Sequence, residues 1–364
     1  MQLMTVLGLM SGTSMDGVDA AVLLTDGETI AGFGPRRFRP YTTGERETLR
    51  AASIEARTLT DRTARPGILA EAERAVTEAH GEAVEALRLE HADLHLDLVG
   101  FHGQTVLHAP ERLLTVQIGD GKALARRIGV PVIYDLRAAD VAAAGQGAPL
   151  VPVYHRALVE MAGLAGTTAI VNIGGVANVT RIAPDGGLVA GDTGPGNALI
   201  DDFVRMRTGM AMDADGKIAA AGQADGAALS VLIANPWFEK PMPKSLDRHA
   251  FSLDPVAGLS NEDGAATLAA FTSRTIVKGI VMAGGAERIV VAGGGASNPV
   301  LMRMLAEGAG MPVKSAADLG WSPDFIEAEA FAYLAARSVR GLPLTFPGTT
   351  GVQKPMTGGV RADP

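Results

Sequence analysis

The chain has 364 residues and a formal net charge of −8, which argues against the positive footprint that a nucleic-acid or anionic-membrane partner requires. It contains no cysteine, so disulfides, thiolate zinc sites and thiol nucleophiles are excluded. The length fits two domains, each near the commonest size of about 100 to 150 residues, and 45 glycines beside 4% aromatics point to many tight turns between alanine- and valine-built elements.

The N-terminal apolar run lacks a basic flank and is broken by Ser11, Ser14 and Asp16, so it does not read as a signal peptide and the cytoplasm is the expected location. Residues 4–24 read as two strands around a polar turn, with a third strand near Glu28 to Phe38. Helical patterns follow at 45–59 and 68–89, the second carrying Leu69, Ala72, Val76, Ala79, Val84 and Leu87 near 3.6-residue spacing. "LDLVGFHGQTVLH" returns to strand with a turn at His102 to Thr105, residues 122–129 form a short helix, and "VPVIYD" is a strand. The uncharged window Met161 to Thr180 is long enough to span a bilayer, but its four glycines and two asparagines make it a buried strand and turn.

"TTAIVNIGGVANVTRIAPDGGLVAGDTGPG" begins a second series of strand, glycine turn, strand, turn and strand. Helices are expected at 197–207, 227–232 and 265–282, then a strand, a glycine turn and a helix capped by Ser297 or Asn298, and a last helix over 324–340. The glycine- and proline-rich C-terminal segment reads as an ordered return or a tail. Both halves thus share an order, three meandering strands followed by helices and strands, which is an internal structural repeat.

The glycine turns carry the chemistry. Ser11, Gly12, Thr13 and Ser14 offer backbone N–H groups and hydroxyls to an anionic oxygen where bulky side chains would prevent approach, although a lone "SGTS" serves equally well as a plain hairpin turn. Asn172, Gly174, Gly175 and Asn178 form a second such hairpin, and two facing hairpins can clamp a polyphosphate. Gly293, Gly294, Gly295 and Asn298 join a strand to a helix N-terminus, either to hold a nucleoside or phosphate or simply as a tight connection. No GxxxxGK[ST] segment exists, so P-loop binding is not expected. Asp192 is placed in a glycine-rich turn ahead of a helix as the candidate general base. Polar turns containing His102, Gln104, Asp140 and Gln146, together with Glu327, can read sugar hydroxyls or an amide, or act only as turn and cap residues.

Taken together, "GLMSGTSMDGVDAAV", "HGQTVLHAP", "GQGAPLVP", "VNIGGVANVT", "DTGPGNALIDDF", "DGKIAAAG", "AGGGASNPVLM" and "EAEAFAYLA" resemble the anhydro-N-acetylmuramic acid kinases, in order and over almost the whole chain. The resemblance implies a two-lobed α/β fold of the actin, hexokinase and Hsp70 type (ribonuclease H-like), with a central cleft for ATP and substrate. The expected lobes are 1–134 plus 341–364, and 135–340. It implies ATP with Mg²⁺, 1,6-anhydro-N-acetylmuramic acid as substrate, and a homodimer. It places ATP phosphates on Gly12, Thr13, Ser14, Met15, Asp16, Gly17, Val18 and Asp19, the catalytic base on Asp192, and a substrate contact on Glu327.

Three departures stand out. Leu9 and Asn172 occupy positions where the wider superfamily carries aspartates, so the Mg²⁺ ligands stay open. Ala144 stands where glycine is expected, and "MPKSLDRHAF" (242–251) differs from a "PPKSTGRE-x-F" pattern. Both are expected to leave Asp192 and the ATP loop untouched. Other readings that keep the fold are an ordinary sugar kinase acting on a free hydroxyl, and an ATP-binding regulator without sugar chemistry.

Overall fold

A computed structural model describes residues 2–247 and 250–364 of the chain. Arg248 and His249, within the divergent 242–251 stretch, lie outside the described residues. The chain divides into two compact units, Met1–Met161 with Phe325–Pro364, and Ala162–Asp324. Segments 135–161 and 325–340, assigned from sequence to the second lobe, thus belong to the first. The reason is packing: the helix Ile326–Val339 lies on the first sheet.

The first unit contains β1 (Met4–Ser11), β2 (Gly17–Thr25), β3 (Ile30–Pro40), α1 (Thr43–Glu55), α2 (Ile68–Glu90), β4 (Leu98–Ala109), β5 (Leu114–Ile118), α3 (Gly121–Ile128), β6 (Val132–Tyr134), α4 (Ala138–Ala142) and α5 (Pro152–Met161). The second contains β7 (Thr168–Ile173), β8 (Val176–Ile182), β9 (Leu188–Pro195), α6 (Ala198–Thr208), α7 (Lys217–Ala220), α8 (Gly226–Ile233), α9 (Asn261–Met282), β10 (Arg288–Ala292), α10 (Pro299–Ala309) and β11 (Val313–Ser315). The chain then returns to the first unit as α11 (Ile326–Val339), α12 (Pro347–Thr350) and β12 (Val360–Ala362).

The strand order in the first unit is β12-β6-β4-β1-β2-β3, with β5 paired to β4; in the second it is β11-β10-β7-β8-β9. In each, three antiparallel strands are followed by two that run parallel to the first: β4 and β6 to β1, β10 and β11 to β7. The repeat expected from the alternating pattern is therefore present, as two α/β sheets that share one strand order. Each unit buries its own core. Leu7, Leu9, Val18, Val76, Phe101 and Val116 lie in the first, Val171, Phe203, Leu268, Phe271 and Val291 in the second.

Local signals explain most boundaries. Thr42 caps α1 through a capping box with Glu45, so that helix starts earlier than its apolar spacing shows. Asn298, rather than Ser297, caps α10, with Pro299 at its first position. The turn expected at His102 to Thr105 is instead part of one continuous strand, β4. Gly103 adopts φ 68° there, so glycine lets the strand kink without ending. The C-terminal segment ends as β12, paired antiparallel with β6. Among the described residues, no helix is long and apolar enough to cross a membrane.

Alanine-rich α11 is buried on nearly all sides, and two glycines let it settle onto the sheet. Gly8 of β1 and Gly100 of β4 are cross-strand partners. A Cβ on Gly8 would lie 1.7 Å from the Ala328 carbonyl oxygen, and one on Gly100 would lie 2.1 Å from that of Phe331.

Candidate active site

In the second unit the sequence pattern puts a row of polar residues across the three-stranded meander. Asn172, Asn178 and Asp192 are successive partners on β7, β8 and β9, while Val171, Ile173, Ala177 and Val179 feed the core. Asp192 is thus inside a strand, not in the turn expected from its glycine neighbours. The pairing slips beside it, between Ala177 and Asn178, a bulge of the kind that re-aims side chains next to functional sites.

Asp192 is partly buried. Its Oδ2 accepts from the Leu246 N–H at 2.7 Å, and its own N–H donates to the Lys244 carbonyl at 2.8 Å. Loss of water raises its carboxyl pKa to about 6, against the opposing effects of the Leu246 N–H and the Lys244 charge. A carboxylate tuned toward neutrality is a stronger base than a free one and remains ionised at pH 7. The divergent 242–251 stretch therefore touches Asp192 directly, contrary to expectation. Sequence reasoning missed both contacts, because they join residues more than fifty positions apart in a segment without regular structure.

The second glycine hairpin rests on the start of α6. Asn197 N–H donates to Gly174 O at 2.7 Å, Gly196 N–H to Gly175 O at 2.9 Å, and Asn197 Nδ2 to Ile173 O at 3.2 Å. Gly293 (φ 75°) comes against the Asn172 side chain, where a Cβ would be 2.4 Å from Oδ1, and Gly295 sits against Ile173. Asn172, Gly174, Gly175, Gly293, Gly294 and Asp192 are thereby gathered in one unit. Asn298 spends its Oδ1 on capping α10 at Val300 and Leu301.

In the first unit, Gly12 to Asp16 form the turn between β1 and β2, with Thr13 and Ser14 exposed and Met15 in the left-handed region at φ 54°. Asp16 Oδ1 accepts from Ser14 Oγ at 2.7 Å and from the Gly17 N–H at 3.1 Å. Gly17 is crowded by Arg39 O and the Phe38 ring, Val18 is a fully buried core residue, and Asp19 is paired within β2. The exposed part of the expected ATP loop is therefore Gly12 to Asp16.

Beneath this turn lies a buried network. Gln104, fully buried, donates from Nε2 to Gly12 O at 3.0 Å and accepts from Ser11 Oγ, which also meets the Tyr41 hydroxyl at 2.9 Å. With both amide atoms engaged, Gln104 supports the turn and is not offered to a sugar. His102 Nδ1 faces the carbonyls of Gly103 at 2.7 Å and Ser11 at 3.2 Å, and its Nε2 accepts from Arg137 Nε at 3.1 Å. Burial and the Arg137 charge hold its pKa well below the usual value, so the ring is neutral with its proton on Nδ1.

Arg137, which sequence reasoning left unassigned, organises the substrate candidates. Its Nη1 donates to Gly147 O at 2.9 Å, and its charge opposes the effect of desolvation, which raises the Glu327 pKa. Glu327 itself is exposed, in the first turn of α11. Asp140 holds the neighbouring loop, accepting from the Gly147 N–H and Thr350 Oγ1, each at 2.6 Å. Gln146 is exposed, its N–H bound to Thr350 O at 2.7 Å. His102, Asp140, Gln146 and Glu327 thus gather around Arg137. The available signal was a lone arginine among the acids of "YDLRAAD".

Ala144 in that loop adopts φ 62°, a left-handed conformation that costs a residue with a Cβ about 1–2 kcal/mol. Its side chain is exposed. Ala144→Gly is expected to stabilise the protein by about 0.5–1 kcal/mol, once the larger entropy loss of glycine is deducted. Urea unfolding measures this, and a net loss of stability would contradict it.

Each glycine turn leaves backbone open within its own unit. A Cβ on Gly12, Gly174 or Gly294 would find no neighbour closer than 3.5, 3.6 or 3.7 Å respectively, so these backbones face open space that a phosphate can approach. Among the described residues no group of three or more His, Cys, Asp or Glu could hold a metal ion.

The profile of the anhydro-N-acetylmuramic acid kinase family matches residues 4–363. Anhydro-N-acetylmuramic acid kinases of Rhodopseudomonas palustris and Bradyrhizobium diazoefficiens are each 54% identical, with 100% of both chains covered. That of Methylobacterium nodulans is 52% identical over 99% of this chain and 100% of its own. Among solved structures, the chain is similar to the activator of the 2-hydroxyisocaproyl-CoA dehydratase from Clostridium difficile, at 14% identity and a TM-score of 0.45, covering 93% of this chain and 96% of that one. It is also similar to a ROK family glucokinase from Streptomyces griseus, at 12% identity and a TM-score of 0.42, covering 92% and 99%. Matched by the family model over residues 4–363 and about half identical over their full length to the kinases of R. palustris, B. diazoefficiens and M. nodulans, the chain belongs to the anhydro-N-acetylmuramic acid kinase family.

Proposed function

We propose that the protein uses ATP and water to convert 1,6-anhydro-N-acetylmuramic acid into N-acetylmuramic acid 6-phosphate and ADP, in peptidoglycan recycling. The full-length family match carries this reading, and the environment of Asp192 supports it. Water is a poor nucleophile at an acetal carbon until a base removes its proton. Asp192 takes that proton as the water oxygen bonds to C1 and the C1–O6 bond breaks, and the freed O6 accepts the γ-phosphoryl group while ADP leaves.

Gly12 to Asp16, Gly174, Gly175 and Gly294 hold the phosphates, their N–H groups offsetting charge on the transferred group. Mg²⁺, bound with the nucleotide, supplies further charge neutralisation. Arg137, Glu327 and Gln146 bind and orient the sugar, with His102 and Asp140 bracing Arg137 and its loop. The proposed use of ATP supports a cytoplasmic location.

ADP release is expected with 1,6-anhydro-N-acetylmuramic acid and not with N-acetylmuramic acid or without sugar, and the product mass should show the addition of both water and a phosphoryl group. Equal or faster turnover of the reducing sugar would instead make the protein an ordinary sugar kinase. Nucleotide binding with no sugar-dependent ADP release would leave only the regulator.

A further inference from the structure

The stretch that crosses Asp192 is fastened at both ends of its contact. Lys244 Nζ donates to Phe238 O at 3.0 Å and Trp237 O at 3.4 Å, two carbonyls of a 3₁₀ turn over Pro236–Glu239, and lies 4.2 Å from the centre of the Trp237 ring. Trp237 Nε1 returns a bond to Ser245 O at 3.1 Å. From this anchor the main chain reaches Asp192 twice, through Lys244 O and the Leu246 N–H. Gly191 makes room for the crossing, since a Cβ there would lie 2.5 Å from Met242 Sδ and 3.0 Å from Lys244 N.

We infer that Lys244 is a positioning residue for Asp192, its ammonium anchoring a main-chain strap whose Leu246 N–H fixes and keeps ionised the carboxylate that acts as base. The inference rests on the reading of Asp192 under the proposed function. The side chain of Lys244 faces away into the carbonyls of the 3₁₀ turn while its backbone serves the site, so a single residue sets both the place of the strap and a positive charge near the base. The other charged groups around the ammonium are Glu239 from that turn, Lys240 just after it and Lys278 from α9, with Lys278 paired to Glu239 at 2.5 Å. Removing Lys244 takes away a cation and slackens an N–H donor, and both changes disfavour the ionised carboxylate.

The test compares Lys244→Met, Lys244→Arg and Gly191→Ala with wild type. The Asp192 carboxyl is titrated by NMR in protein labelled with ¹³C-aspartate, its resonance identified by its absence in Asp192→Asn. The pH profile of kcat/KM is recorded in parallel. The Asp192 titration and the acidic limb of the profile are expected to move to higher pH in Lys244→Met and Gly191→Ala, and to stay near the wild-type position in Lys244→Arg. Should Lys244→Met not fold, Gly191→Ala displaces the strap with the lysine still present. An unmoved Asp192 titration in the displaced-strap variants overturns the inference, even if their activity falls uniformly across pH. If wild type shows no sugar-dependent turnover, the functional reading fails, while the NMR titration still decides whether the strap controls the carboxylate.

Discussion

Asp192→Asn is expected to lower kcat by about 10²–10⁴-fold, the range that a general base contributes, with nucleotide binding and the unfolding midpoint little changed. The amide keeps the shape of the side chain and can still accept from the Leu246 N–H, so the variant removes proton acceptance and little else. Wild type adds a check on sign. Burial raises the Asp192 pKa to about 6, and only the ionised form takes a proton from water. Activity is therefore expected to rise with pH through about 6 and to stand near a tenth of its plateau one unit below. Steady-state kinetics between pH 5 and 8 measure both effects. A fully active asparagine variant would show that the base lies elsewhere.

Gly100→Val is expected to cost the first unit at least about 3 kcal/mol. The clash is with backbone, the Phe331 carbonyl oxygen at 2.1 Å from the first added carbon, so no side-chain rotation relieves it. Gly8→Val should act alike, because Ala328 O and Ala332 N lie 1.7 and 2.6 Å from its Cβ position. Gly32→Ala on β3 is the control: a Cβ there meets nothing within 4 Å, and the change should fall within about 0.5 kcal/mol of wild type. Urea unfolding of the three variants orders them. Equal stability of Gly100→Val and Gly32→Ala would mean that α11 does not rest on this floor. The effect bears on chemistry too, since Glu327 is next to Ala328 on the helix that would be lifted.

The meanders and long helices were legible because their signals are local: alternation around "MSGTSMDG" and "NIGGVAN", and 3.6-residue spacing from Leu69 to Leu87. β5, β11 and α5 were not recognised. The two strands are short and the helix is mixed in polarity, so each depends on partners distant in sequence. In the site, Asp192 and the glycine turns were legible from residue type, but Asp192 was placed in a turn because glycine flanks it on both near sides. Its glycine neighbours have tertiary causes: Gly191 clears the strap, and Gly194 clears Thr275. Arg137 and Lys244 escaped notice for the same reason, since a lone cation in a loop gains meaning only from what the fold brings to it.

The chain order of the two units has a consequence for biosynthesis. The second unit is one uninterrupted stretch, Ala162–Asp324, whereas the first needs both Met1–Met161 and Phe325–Pro364. As the ribosome proceeds, β1 and β4 emerge early, but the helix that covers Gly8 and Gly100 and the strand that closes the edge at β6 come only after the intervening unit. At about 5–20 residues per second that delay lasts roughly ten to thirty seconds, during which the glycine floor of the sheet lies bare and the inserted unit can already fold. The length of the insertion thus sets how long the nascent protein exposes an unfinished face to chaperones and to other chains.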